Sequence, residues 1–310
     1  MRAIQHPLRG LALASLALAT ALATQSAEKR VLLIAGTPSH GPGAHEHNAG
    51  VLLLQKCLAG VPGLKADVSL NGWPKDPASL AGVDAVVMYC DGGAGHMALA
   101  DNRLATLGAL ARRGVGIGCV HYAVEPTKAK GQAEFLQWIG GAFEIDFSVN
   151  PHWDARFESL PTHPITRGVK PFTIRDEWYF NMRFVEGRQG VTPILAAVPD
   201  ASTTSRPDGA HSGNPIVRAA VARRDVQVVS WAYERPEGGR GFGFTGAHFH
   251  ANWGNDDFRR IVLNAILWLA KIEVPAGGVP SRVTAEDLAA NLDPKPAPKA
   301  KAARKGEAKK

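Results

Sequence analysis

Apolar residues arrive along this chain in short continuous runs, separated by polar loops and by stretches of helical period. Lys29–Gly36 reads Lys-Arg-Val-Leu-Leu-Ile-Ala-Gly, with no polar alternation, as expected of a strand buried on both faces of a parallel sheet. Helical spacing follows over 49–59, then a strand at 66–70. A third strand, Asp84–Cys90, ends in Asp91-Gly92-Gly93. Leu99, Leu104, Leu107 and Leu110 mark a helix over 98–113 with Gly114 as its stop, and Val115–Val120 is the fourth strand. This alternation predicts an α/β fold of three layers, a doubly wound and mostly parallel sheet with right-handed crossovers. After a helix over 133–139 the pattern breaks into shorter alternating runs between Phe143 and Phe244, which predict inserted, partly antiparallel strands. Gly241–Gly246 is a late strand. Asp256–Lys271 is a closing helix whose apolar face carries Phe258, Ile261, Val262, Ile266 and Leu269.

The ends of the chain depart from this pattern. Arg2 and Arg9 flank or precede an apolar run, Leu11–Leu22, that is too short to span a bilayer, and Ala21-Leu22-Ala23 is a small-x-small cleavage site. Residues 1–23 therefore read as a signal peptide, and the protein is expected to be exported, to a periplasm or beyond. The formal charge of +7 sits mostly at the ends, since residues 24–275 carry 25 basic against 24 acidic side chains. The folded body thus offers no electrostatic footprint for nucleic acid. Residues 276–310 hold eight basic and four acidic side chains and read as a C-terminal extension with a disordered basic tail, rich in Pro, Ala and Lys from Lys295 onward. No segment after the leader is apolar enough to cross a membrane. Three cysteines are an odd number, so Cys57, Cys90 and Cys119 are not a disulfide framework. Cys90 and Cys119, near the ends of core strands, read as buried free thiols, with an oxidised pair as the alternative.

Polar residues at the carboxyl ends of such strands are the candidates for chemistry. The loop Ser39-His40-Gly41-Pro42-Gly43-Ala44-His45-Glu46-His47 puts three imidazoles and a carboxylate after the first strand, groups suited to a divalent metal or to acid–base work. His40 is favoured as the one nearest the strand end. Asp91 follows the third strand, where it is placed to hold sugar hydroxyls or orient a histidine, and His96 lies in the same glycine-rich loop. His121 occupies the turn after the fourth strand, where a base, an acid or a metal ligand is expected. Glu177 and Tyr179 share one face of a strand, so both project toward one pocket, with Asp176 and Trp178 opposite. His248 and His250 follow the late strand, and Trp253 the turn after it. No Gly-x-Ser-x-Gly elbow and no dinucleotide fingerprint is present, which removes serine hydrolases and nicotinamide enzymes.

Together these motifs resemble the ThuA-like (trehalose utilisation) family over residues 29–273, in its secreted form. The resemblance rests on the His40 loop, the glycine-rich turn at His121, and His163-Pro-Ile-Thr-Arg-Gly-Val169. It rests also on Glu177 with Tyr179, and on Gly246-x-His248 ahead of the helix ending Ile266-Leu267-Trp268. It implies a class I glutamine amidotransferase-like, flavodoxin-like fold. Such folds carry a cysteine on the turn that His121 occupies here, while Cys119 lies two residues earlier. The family's association with enzymes that make 3-keto-disaccharides implies a small-molecule carbohydrate substrate. The expected function is isomerisation or cleavage of keto-sugars or 3-keto-glycosides by His121, Glu177 and His248. Asp91, His96, Tyr179 and Trp253 would bind the sugar, and a divalent cation such as Zn²⁺ would sit on His40, His121 and His248. The alternative is a non-catalytic sugar-binding or partner protein on the same fold.

Overall fold

The strands and helices of the first half alternate as the pattern predicts. The computed structural model describes residues 27–295, so the leader expected over 1–23 and the basic stretch 296–310 lie outside it. Among the described residues no helix is long and apolar enough to cross a membrane. The order is β1 (Lys29–Ala35), α1 (His47–Leu58), β2 (Leu64–Ser69), β3 (Ala85–Tyr89), α2 (Arg103–Arg112) and β4 (Gly116–Val120). The helix expected from Ala98 starts only at Arg103. His96 caps a single 3₁₀ turn at Met97–Leu99, and Asp101 adopts φ 49°, through which no right-handed helix continues.

The second half supplies α3 (Gln132–Ile139), β5 (Gly141–Ala142), β6 (His152–Phe157), β7 (Phe172–Glu177), β8 (Arg183–Phe184) and β9 (Val191–Ala197). There follow α4 (Pro215–Ala222), β10 (Gln227–Glu234), β11 (Arg240–Phe244), α5 (Asp256–Leu269) and α6 (Ala285–Ala289). Seven strands form one sheet in the order β2-β1-β3-β4-β11-β10-β9. The first five are parallel, and β10 runs antiparallel to both of its neighbours. Two antiparallel pairs, β6–β7 and β5–β8, stand apart from it.

Strand alternation splits the core between the two faces of the sheet. Val31, Leu33 and Ala35 of β1 pack with α1 and α5, whereas Leu32 and Ile34 pack with α2 and α3. Each large side chain so buried stabilises the fold by roughly 2 kcal/mol. The glycines of β4 answer to this packing. A Cβ on Gly116 would lie 2.5 Å from the Leu269 carbonyl oxygen, and one on Gly118 would lie 2.9 Å from Leu269 Cδ1. Only glycine lets α5 approach this closely.

The segment after α5 is built onto the domain. Val279 is buried and donates its N–H to Asn264 Oδ1, 2.8 Å away. Thr284 and Asp287 form a capping box at α6. Asp293 donates its N–H to Glu46 Oε2 at 2.8 Å, and Lys295 pairs with Glu46 Oε1 at 3.2 Å. Within the expected extension over 276–310, residues 276–295 therefore pack against the domain, and the basic tail expected from Lys295 lies, after that residue, outside the described residues.

Candidate functional site

Four loops leave the carboxyl ends of β1, β3, β4 and β11 on one side of the sheet, and β7 reaches them from the insert. At the end of β4 the chain turns sharply, since Val120 is extended but His121 adopts φ 57°. His40, His45 and Ala247 also lie in the left-handed region, at φ 59°, 49° and 84°. Such backbone costs about 1–3 kcal/mol per residue and persists where surrounding structure dictates it, often at functional sites.

His45, His121, His248 and Glu177 converge there, each offering one ligand atom within 4.8 Å of the others. His121 is fully buried, and its Nδ1–H donates to the Thr245 carbonyl at 2.8 Å. Its Nε2 therefore carries a lone pair. His45 donates Nδ1–H to Asp91 Oδ1 at 2.6 Å, which leaves its Nε2 a lone pair as well. These two nitrogens face each other at 3.0 Å, and His45 Nε2 is 3.1 Å from His248 Nδ1. Glu177 Oε2 completes the group, 3.1 Å from His248 Nδ1 and 3.6 Å from His121 Nε2.

Electrostatics keeps the donors in the state a cation needs. Burial pushes His45 down to about 4 and His121 well below its ordinary value, so both rings are neutral near pH 7. Burial alone would raise Glu177, but hydrogen bonds from His152 and His248 and the nearby His121 hold it well below the usual carboxylate range. Asp91 is likewise pushed up by burial, yet hydrogen bonds from His45 and Ser39 hold it low. Facing lone pairs at this spacing repel unless something positive lies between them. Zn–N bonds of 2.0–2.1 Å in a tetrahedron set ligand atoms about 3.3 Å apart, close to the 3.0–3.6 Å of four of the six separations here. The carboxylate and carbonyl behind His45 and His121 are the outer partners that ligating histidines require. The donor set fits a divalent cation.

The rest of the site holds these groups in place. Asp176 is fully buried and accepts the N–H groups of Ala247 (2.8 Å) and His248 (3.0 Å), while Tyr89 Oη–H donates to the Ala247 carbonyl at 2.6 Å. This fixes the strained residue before His248. Tyr179 Oη lies 3.4 Å from both Glu177 Oε2 and His121 Nε2, and burial pushes its phenol up, so it stays protonated. Asp91 also borders a cleft of about 510 Å³ lined by Thr37, Asn71, Trp73, Met97 and Arg103. That cleft lies between the ends of β1 and β3, where the strand order reverses and such sheets bind ligands.

Sequence reasoning found part of this arrangement. The structure brings His121, Glu177, His248, Tyr179 and Asp91 together. His40 lies outside this set of four and groups instead with His45 and Asp91, whose ligand atoms also lie within 4.8 Å of one another. It is 42% exposed at its side chain and stacks on the His45 ring, centroids 3.5 Å apart. An Ala44–Phe249 bridge and the bond from His45 N–H to the His248 carbonyl, 3.0 Å, draw His45 inward in its place. His96 lines the same cleft as Asp91, but both its nitrogens are engaged, Nε2–H donating to the Ala123 carbonyl and Nδ1 accepting the Ala98 N–H, each at 3.0 Å. No nitrogen remains for a sugar. Trp253 is buried against Tyr89 and Phe258. His250 is buried beside α6 and Glu46, away from the cation set. Cys57, Cys90 and Cys119 are free, and burial raises the thiols of Cys90 and Cys119 well above their ordinary value. Neither is a thiolate nucleophile. Asn150, His152, Glu125 and His211, which surround Glu177, carried no signal in periodicity or motif.

Two solved structures share this architecture. A ThuA-like protein from Bacteroides uniformis is 13% identical, covering 78% of this chain and 91% of its own, with a TM-score of 0.56. A ThuA-like protein from Parabacteroides merdae is 14% identical, covering 83% and 93%, with a TM-score of 0.52. A glutamine amidotransferase from Methylobacillus flagellatus is a more distant match, 13% identical over 86% and 88%, with a TM-score of 0.38. No curated protein matches the sequence. The family model described as ThuA, trehalose utilisation, matches residues 30–269, and the chain belongs to that family.

Proposed function

We propose that this protein is an enzyme that moves protons on keto-sugars, with 3-keto-glycosides as its substrate class and a divalent cation, Zn²⁺ or similar, at its centre. One observation carries the reading: three imidazole nitrogens and a carboxylate oxygen gather at one point, all within 4.8 Å of one another and four of their separations 3.0–3.6 Å. The family's description, trehalose utilisation, supports a carbohydrate as substrate. His45, His121, His248 and Glu177 would hold the cation. When bound, it supplies Lewis acidity to a carbonyl oxygen. A ketone so polarised acidifies the neighbouring C–H, and a base within reach then suffices.

His121 has no access to that proton, because it is fully buried with both nitrogens turned inward. The base in this reading is His40. It is exposed at the mouth of the site, lies against the His45 ring, and is kept neutral by partial burial. Tyr179 donates a hydrogen bond toward Glu177 and keeps that carboxylate oriented. Asp91, beside the cleft at the β1–β3 switch, lies where the remaining hydroxyl groups would be held. Residues 1–23 suit export, and we place the enzyme outside the cytoplasm on that ground.

The test uses the protein and a 3-keto-disaccharide in D₂O, followed by proton NMR, with metal content measured in parallel. Deuterium entering beside the ketone, lost on chelation and in His40→Ala, supports the reading. Saturable sugar binding with no exchange and no turnover would instead make this a binding protein.

A further inference from the structure

Glu125 and His211 form a pair that the cation centre does not use. Glu125 follows the turn that carries His121 and is 2% exposed, and His211 Nε2–H bridges its two oxygens at 2.9 and 3.1 Å. The His211 ring stacks on Phe143, centroids 5.2 Å apart and 24° between planes, and Phe143 lies edge-on to Tyr179 at 5.2 Å. Its backbone is held in the left-handed region, φ 61°, by three hydrogen bonds. His211 N–H donates to the Ile145 carbonyl at 2.8 Å, and the His211 carbonyl accepts from Asn150 N–H at 3.2 Å and Arg206 Nη2 at 2.8 Å. A strained histidine held from three sides is a costly way to fill a surface turn.

This pair lies beside the centre, joined to it through Asn150 and through Phe143 and Tyr179. Asn150, which bonds the His211 turn through its backbone, donates Nδ2–H to Glu177 Oε1 at 3.1 Å. Tyr122 lies between, its ring 6.1 Å from that of His45 and 6.4 Å from that of Tyr179, in the same turn that leads to Glu125. Glycine at 92 is what allows this close packing, since a Cβ there would sit 2.3 Å from the Tyr122 carbonyl oxygen. His211 Nδ1 has no hydrogen-bond partner among the described residues, and the side chain is 24% exposed. The pair thus leaves Nδ1 unpartnered among the described residues and anchors Nε2–H on a buried carboxylate.

We infer that His211, backed by Glu125, is the acid that protonates the departing glycosidic oxygen, and hence that the reaction is β-elimination. The inference rests on the 3-keto-glycoside reading above. In that step the C2 proton goes to the base and the C2–H electron pair forms the C1–C2 double bond. The C1–O bond breaks with its pair on the leaving oxygen, which takes the proton from His211 Nδ1, and the ketone at C3 is retained. No oxidant or reductant is needed. Isomerisation next to a ketone needs acid and base at one centre only, and a second acid one aromatic ring away serves only a bond further along the sugar. The groups facing His211 are Glu125, Glu177 and Arg206, and the Glu125 hydrogen bond raises its pKa most, which favours the protonated ring an acid needs.

The test is the dependence of kcat on the leaving group, measured with 3-keto-glucosides of nitrophenol, phenol, an alkyl alcohol and glucose. General acids contribute about 10²–10⁴-fold, and most for the poorest leaving groups. In wild type the dependence is shallow. In His211→Asn it steepens, with about 10²-fold loss on the glucose and alkyl substrates and only a few-fold loss on nitrophenol. Glu125→Gln, which keeps the ring in place, moves the high-pH limb of the profile to lower pH. A parallel loss on all four substrates, or no change in slope, overturns the assignment while leaving the keto-glycoside reading intact. Wild type that turns over none of the four overturns both.

Discussion

Asp176→Asn tests whether the inserted hairpin holds the cation site together. The carboxylate is fully buried at the end of β7 and accepts four hydrogen bonds. Oδ1 takes the N–H groups of Glu177 (2.7 Å) and His248 (3.0 Å), and Oδ2 takes Ala247 N–H (2.8 Å) and Asn252 Nδ2 (2.9 Å). An amide keeps one acceptor oxygen and turns an NH₂ toward two donors. Two charge-assisted bonds at about 1.5–3 kcal/mol each are lost. Burial raises the pKa of this carboxyl, so relief of a buried charge offsets part of that loss. The net cost is about 2–4 kcal/mol. For a domain of this size that lowers Tm by roughly 5–10 °C. The same substitution frees Ala247 from its strained φ of 84° and lets His248 swing away. Zinc affinity then falls about 10–100-fold, as for other losses behind a ligand. Melting curves of the metal-free protein and a competition titration with a chelating dye measure the two effects. A variant that melts with the wild type and binds Zn²⁺ as tightly would refute the role given to β7.

Three further outcomes follow from the geometry. His45→Ala abolishes stoichiometric metal binding, whereas His40→Ala retains one equivalent and loses turnover; equal metal content in both would return His40 to the ligand set. His96 is buried neutral, its pKa pushed down to about 4 by burial. The unfolded chain therefore binds the extra proton between pH 6.5 and 4, and roughly 3 kcal/mol of stability, complete above 6.5, is lost as pH falls through that window. His96→Gln should flatten the fall in Tm between pH 7 and 5, and an unaltered slope would contradict this. Iodoacetamide should label native protein at Cys57 alone and leave activity unchanged, because Cys90 and Cys119 are buried thiols; mass spectrometry showing rapid label on Cys119 would reopen nucleophilic catalysis.

What the sequence made legible was whatever local pattern determines. β1, β3 and β4 are buried on both faces, so their runs are unbroken and their ends are visible, and Asp91 and His121 follow from those ends. Glu177 and Tyr179 follow from strand alternation. The choice among His40, His45 and His47 was not local, because it depends on Ala44 pairing with Phe249 from the far side of the chain. The surroundings of His96 and Trp253 were hidden for a related reason. A polar cap and an indole after a glycine-rich turn look alike in sequence whether they face ligand or core. His211 sits in a Gly/Ser turn without period, and its meaning comes from Glu125, 86 positions earlier.

The anchoring of Glu46 has a bearing on how the molecule is made. Glu46 adjoins His45 and accepts from Gly43 N–H at 2.8 Å, but its other oxygen is claimed by Asp293, 247 positions later. The loop that carries His45 leaves the ribosome early and waits for its clasp until almost three hundred residues have been synthesised. The turn beside His45 is thereby completed only with the last part of the domain to be made, so the two ends of the described chain fold as one unit.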